Sequence, residues 1–212
     1  MTEDEGLKAL QGGDAAAAAR AEAALWEMWH RSGSREIDAL MREGIAAMER
    51  REFTGAETIF ARMIAEAPAF AEGWNKRATV RYMAENYEGS IADCEETLAR
   101  NRHHFGALSG AGLCYMALGR HREAAGMFRR ALAVHPRLGG ARHNLAVALG
   151  EAVRGNGHLP AVSRAASAHP REGRRLSSGS RGARGSGSRA RSGGCTRARR
   201  RPASGWAWPG RP

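Results

Sequence analysis

Much of what this chain does can be excluded from what it lacks. Among 212 residues there are only two lysines, Lys8 and Lys76, and three cysteines, Cys94, Cys114 and Cys195. Three cysteines without a spacing pattern do not make a disulfide scaffold; Cys94 and Cys114, at core-like helical positions, read as small buried thiols. No apolar run is long enough to span a bilayer. The start, Met1-Thr2-Glu3-Asp4-Glu5, is acidic where an export or transit leader is basic, so the expectation is a soluble, cytoplasmic protein. Chemistry is also missing. His103, His104, His121, His135 and His143 lack the Cys/His spacing of a metal site. No nucleophile, base and orienter come together, and the Gly-Ser fragments lack the strand-to-helix setting of a phosphate loop. The reading is therefore no catalytic residue, no metal, no cofactor and no enzyme.

Charge is present but badly distributed. Residues 151–212 hold fourteen arginines against two glutamates, a net +12, which leaves nineteen basic against twenty acidic residues in 1–150, a net −1. The overall +11 thus describes a basic tail on a neutral body, and it does not make the body a nucleic-acid binder. The tail is Arg/Gly/Ser/Ala/Pro-rich and cannot bury enough apolar area to offset its ordering entropy, so disorder is expected over 151–212. Its run "SRGARGSGSRARSGG", with Arg199 to Arg201 and then Trp206 and Trp208, fits RNA or another single-stranded nucleic acid. It fits a polyanion or anionic-membrane tether as well. The plainest account of the abrupt change near residue 150 is a shifted reading frame in a GC-rich gene.

What the body has is a period. Gly44, Ala78, Gly112 and Ala146 stand 34 residues apart and are all small; Ala56, Ser90 and Ala124 form a second small series. Phe60, Cys94 and Phe128 repeat, as do Leu40, Trp74 and Leu108, and the rings Phe53, Tyr87 and His121. Pro68 and Pro136 lie two periods apart, where a residue without an N–H stops a helix cheaply. Within each unit the apolar spacing is helical, as in Ile37, Leu40, Met41, Gly44, Ile45 and Met48 followed by Ile59, Phe60, Met63 and Ile64. Small residues on the first helix, as Gly112, and early on the second, as Ala124, allow the two helices of a hairpin to approach closely, and the later ring, as Phe128, is expected to fill the space between that hairpin and the next.

A 34-residue helix-turn-helix with small, small, aromatic and terminal proline at these offsets resembles the tetratricopeptide repeat family, in the form of a small bacterial-type member. The clearest copy runs from Phe105 to Pro136 and carries Leu108, Gly112, Tyr115, Gly119, Ala124, Phe128, Ala131 and Pro136 in the family's places. The resemblance implies an all-α fold: an α-α superhelix of about three hairpins (37–70, 71–104 and 105–138) with a closing helix at 139–150. Residues 1–36 hold a capping helix, Ala15 to His30, started by Asp14, striped with Leu25, Met28 and Trp29, stopped by Gly33, and expected to cover the first hairpin. Arg77 and Arg81 depart from the family's large apolar residues. Both are expected to reach out to solvent, with Glu43 as the nearest candidate partner, and Asp93, Glu95 and Glu96 to form a solvated helix face.

In this family the first helices line a concave surface that holds an extended peptide or a partner helix. The groove-facing places fall here on Arg42, Asn75, Lys76, Thr79, Tyr82, Ser109, Leu113, Met116 and Asn144. Asn75 and Asn144 would bond a ligand backbone, Lys76 and Arg42 a carboxylate, and Tyr82, Leu113 and Met116 would supply apolar contact. Gly106 and Gly110 stand where some members carry cations that hold a chaperone's C-terminal carboxylate, which speaks against that ligand. The function this implies is a non-catalytic protein-binding adaptor of unidentified partner; the alternative is RNA or polyanion binding through the tail.

Overall fold

The 34-residue spacing becomes a ladder of helical hairpins in the computed structural model, which describes residues 1–156. Expectations placed on 157–212, including tail disorder, nucleic-acid or polyanion binding and the shifted frame, lie outside the described residues. Among those described there are nine helices and no strand. Helices α1 (Glu3–Gln11) and α2 (Ala15–His30) form an N-terminal hairpin. Three repeats follow as α3 (Arg35–Glu49) with α4 (Phe53–Glu66), α5 (Ala71–Met83) with α6 (Tyr87–Arg100), and α7 (Phe105–Ala117) with α8 (His121–Val134). Helix α9 (Gly139–Asn156) closes the array and runs past the expected end at residue 150. Each helix from α3 to α9 packs on the next in sequence, as a solenoid requires.

Local chemistry explains the starts and turns. Asp14 accepts the Ala16 N–H at 2.9 Å and caps α2. Thr2 and Glu5 form a reciprocal capping box on α1, the helix the acidic start had concealed. The turn inside each repeat needs one left-handed residue at the same place: Arg51 (φ 62°), Glu85 (φ 62°) and Gly119 (φ 73°), again 34 apart. Only the third copy fills it with the residue that adopts that conformation without strain.

Size is matched across each hairpin, sixteen residues apart. A Cβ on Gly44 would lie 2.5 Å from Cζ of Phe60, and one on Gly112 2.6 Å from Cε1 of Phe128. In the middle repeat the small residue grows to Ala78 and its partner shrinks to Cys94, both fully buried. Ser90 seals that hairpin by donating to the Ala78 carbonyl at 2.7 Å. Two clusters result, one inside the first repeat with Val80, the other joining α5 through α9.

Arg77 and Arg81 do not reach out to water. Arg77 donates through Nε and Nη2 to the two oxygens of Asp93 at 2.9 and 2.8 Å. Arg81 donates to Glu57 at 2.7 Å and to the Gly89 carbonyl at 3.3 Å, with Nη1 3.0 Å from Asp93 Oδ2. Asp93 is buried, so it is not on a solvated face, whereas Glu95 and Glu96 are exposed. The reason is register: Asp93 follows Arg77 by the same sixteen residues that bring Cys94 against Ala78. Glu43 is exposed and is not the partner.

Candidate functional site

The nine groove residues fall on the four first helices, and burial divides them. Arg42 on α3 is exposed, while Tyr82 on α5 and Met116 on α7 are half-buried. Asn75, Lys76 and Thr79 on α5, Ser109 and Leu113 on α7, and Asn144 on α9 are buried. Ser109 Oγ is enclosed without a hydrogen-bond partner among the described residues. Thr79 Oγ1 donates to the Asn75 carbonyl at 2.9 Å.

Asn75 and Lys76 face an internal acid, Glu72, which the sequence reading had passed over. Asn75 Nδ2 lies 3.1 and 3.2 Å from the two Glu72 oxygens, and Lys76 Nζ lies 3.0 Å from Oε1. His104, fully buried, caps α7 by accepting the Ala107 N–H on Nδ1 at 3.0 Å; the ring proton therefore sits on Nε2 and is donated to Glu72 Oε2 at 2.9 Å. His30 Nε2 approaches Oε1 to 3.3 Å. Burial pushes the Glu72 carboxyl up, but Lys76, His104 and His30 overcome it and hold the group well below the ordinary carboxylate range. The signal in the sequence was the Glu72 to Lys76 spacing of one helical turn.

The N-terminal hairpin sits on this region, not on the first hairpin as expected. Trp29 stacks on His104 at 4.7 Å between ring centroids, and Trp26 meets Phe105 edge-on at 5.1 Å. A Cβ on Gly106 would come within 2.6 Å of Trp26 Cη2, so glycine at this place makes room for the indole. Leu10, Ala21, Leu25, Trp29 and Phe105 form a third cluster, with Val134 and Leu138 beside it. Polar contacts fix the edges. His135 Nε2 lies 3.1 Å from Glu22 Oε2, Arg137 donates to the carbonyls of Leu10 (3.2 Å) and Gly13 (2.8 Å), and Asn101 Nδ2 lies 3.3 Å from Glu3 Oε1. The physical reason for the placement is complementarity: Phe105 offers the Leu25–Trp29 stripe an apolar ledge at the head of α7.

This contact is pH-dependent in a defined direction. His135 beside Glu22 holds its carboxyl below the ordinary range, against partial burial. A depressed folded-state pKa gives stability that is present above the unfolded value and is lost as pH falls through the folded one. Glu22→Gln is therefore expected to cost about 0.5–1 kcal/mol at pH 7, screened because the carboxylate is partly exposed, and progressively less toward about pH 2 as the carboxylate takes up its proton. Urea midpoints of both proteins at the two pH values check it; a gap that persists in acid removes the carboxylate's role.

Burial pushes the Cys114 thiol up to about 11 and that of Cys94 well above its ordinary value, so neither is a thiolate at neutral pH. No group of three or more metal-binding side chains forms among the described residues. No described helix is long and apolar enough to cross a membrane.

Comparison with known proteins agrees with this architecture. The family model described as tetratricopeptide repeat matches residues 41–105 and again 75–142. A TPR repeat-containing protein of Rhizobium etli is 34% identical over 108 residues, 51% of this chain and 53% of the relative. The chain thus spans about half the length of that curated relative. Among solved structures, the first TPR domain of human RPAP3 superposes with a TM-score of 0.56 at 19% identity, over 58% of this chain and 97% of that one. The Sgt2 TPR domain from Aspergillus fumigatus gives 0.55 at 24% identity, over 64% and 93%. Period, hairpin ladder and matches together make residues 41–142 a tetratricopeptide repeat array.

Proposed function

We propose that this chain is a non-catalytic adaptor that binds a peptide or a helix of a partner protein along the wall of first helices α3, α5, α7 and α9. One observation carries the reading: the heads of first helices α5 and α7 already take up a helix, α2, through packed rings and the His30–Glu72 pair. The fold neighbours support the same use of such a wall, since the first TPR domain of RPAP3 was solved bound to the HSP90 peptide SRMEEVD, at a TM-score of 0.55. An acidic chaperone tail is a poor fit here, because Gly106 lies under Trp26 and supplies no cation, and Gly110 is buried.

The residues assigned to the groove are Arg42, Asn75, Lys76, Thr79, Tyr82, Ser109, Leu113, Met116 and Asn144. Arg42, Tyr82 and Met116 are the ones a ligand meets first, with a ring and a thioether supplying adaptable apolar contact. The test uses peptides selected against the full chain from a library of displayed helices. Tyr82→Ala with Met116→Ala is expected to weaken the selected peptides roughly tenfold or more, whereas Arg129→Glu on the second helix α8 leaves them unchanged. Equal binding to all three proteins discards the groove.

A further inference from the structure

Resting on the adaptor reading, a more specific property follows from the hairpin that covers the wall. We propose that α1–α2 is a displaceable internal ligand, and that the partner is an amphipathic helix with two aromatic residues three apart and a carboxylate four residues before the first, the spacing of Glu22, Trp26 and Trp29.

Three observations converge. First, the hairpin has an apolar cluster of its own. Its apolar cluster shares only Phe105, Val134 and Leu138 with the array, while the two other clusters are built without any residue of α1 or α2. Second, the surface beneath is chemically a binding site and not a core. It presents the acid Glu72, 3.3 Å from His30 of the hairpin, the ring face of His104 under Trp29, and the His135 imidazole 3.1 Å from Glu22. A surface made only to be covered permanently is better served by apolar residues, because taking charges from water is costly. Third, the connection is a short strap, Arg31 to Ser34, with Gly33 at φ 80°, a left-handed joint that favours glycine. The recognition code is then legible in the occupant. Trp26 enters the space left by Gly106, Trp29 stacks on His104, and Glu22 meets His135. A partner helix with the same groups competes for the same places, and its apparent affinity is reduced by the fraction of chains whose hairpin is seated.

The probe is a fluorescein-labelled peptide of residues 14–31, titrated by anisotropy against the full chain and against its Trp26→Ala/Trp29→Ala variant. The variant's weakened hairpin is expected to leave the wall open, so that it binds the peptide roughly tenfold or more tighter than the unaltered chain. A control peptide with both tryptophans replaced by alanine is expected to bind neither. Equal affinity of the two proteins, or binding of the control peptide, overturns the proposal. Should the double variant lose its helical circular dichroism, Gly106→Ala in the full chain replaces it, since the added Cβ presses on Trp26 alone among the indoles. Amide exchange in α2 is then expected to rise roughly tenfold with α5 to α8 unchanged; no rise, or an equal rise throughout, overturns it. Library-selected peptides that still depend on Tyr82 and Met116 after such a failure leave the adaptor reading intact and remove only the displaceable hairpin.

Discussion

Phe128→Ala is expected to lower the unfolding free energy by about 3–5 kcal/mol, seen as a drop in urea midpoint at nearly constant slope. The ring is fully buried and lies against the bare backbone of Gly112, whose absent Cβ would come within 2.6 Å of it. Removing the ring leaves a cavity that two helices cannot close, because each is also held by its other neighbour. The two positions are coupled, so Gly112→Ala is destabilising alone but less so beside Phe128→Ala, where its methyl enters vacated space. The double variant is expected to recover at least about 0.5 kcal/mol relative to the sum of the single changes. A loss below about 1 kcal/mol for Phe128→Ala refutes the idea that this interlock holds the hairpin. Gly44 and Phe60 form the same pair in the first repeat and make a second, independent trial of it.

The members of that interlock are readable in the sequence, because they depend on residue size at fixed spacing, but their pairing is not: the ring reads as filling the space between one hairpin and the next, whereas Phe128 lies against Gly112 of its own hairpin. Gly44 with Phe60, Ala78 with Cys94, and Gly112 with Phe128 are each sixteen apart, and the period places them in equivalent hairpins. The cap at Asp14 was readable for the same local reason. What resisted was anything decided by a contact between distant parts of the chain. The partner of Arg77 and Arg81 was sought one period back at Glu43, yet it lies across the hairpin at Asp93. Helix α2 was recognised as a helix, but the Leu25–Trp29 stripe does not say which surface it seeks. That choice is made by Phe105 and Gly106, which the repeat pattern treats only as the opening residues of a first helix. Glu72 has a local mark, Lys76 one turn on, but the two imidazoles that meet it, His30 and His104, are 42 and 32 residues away and no local pattern points to them.

The same point bears on the groove. Family places fix which residues lie on the first helices, and all nine do lie there. They cannot reveal that Asn75 and Lys76 turn toward Glu72, since position 72 in most such arrays need not be an acid buried under an added hairpin. The proposed groove therefore divides into two surfaces: a covered one around Glu72 and Phe105, and a more accessible one carrying Arg42, Tyr82 and Met116. This division is why the two binding experiments probe different residues.

Asp93→Ala is the second large effect, and it tests a buried charge network where the family usually packs apolar side chains. Asp93 is 2% exposed and accepts from both Arg77 and Arg81, whose side chains are 16% and 21% exposed. Removing the acid leaves two like charges one helical turn apart, Arg81 against Glu57 and Arg77 over the Trp74 ring without a bonded carboxylate among the described residues. Breaking a buried ion pair from one side costs about 3–5 kcal/mol, and the lower end is expected because both guanidinium groups have some access to water. Replacing all three together, Asp93→Leu with Arg77→Met and Arg81→Met, is expected to return most of that loss, since a matched apolar set needs no desolvation. By contrast Arg50→Ala, which breaks an exposed pair with Glu52, is expected to leave the urea midpoint where it was. If Asp93→Ala costs less than about 1 kcal/mol, the arginines have found solvent on their own, and the network is a consequence of the packing and not one of its causes.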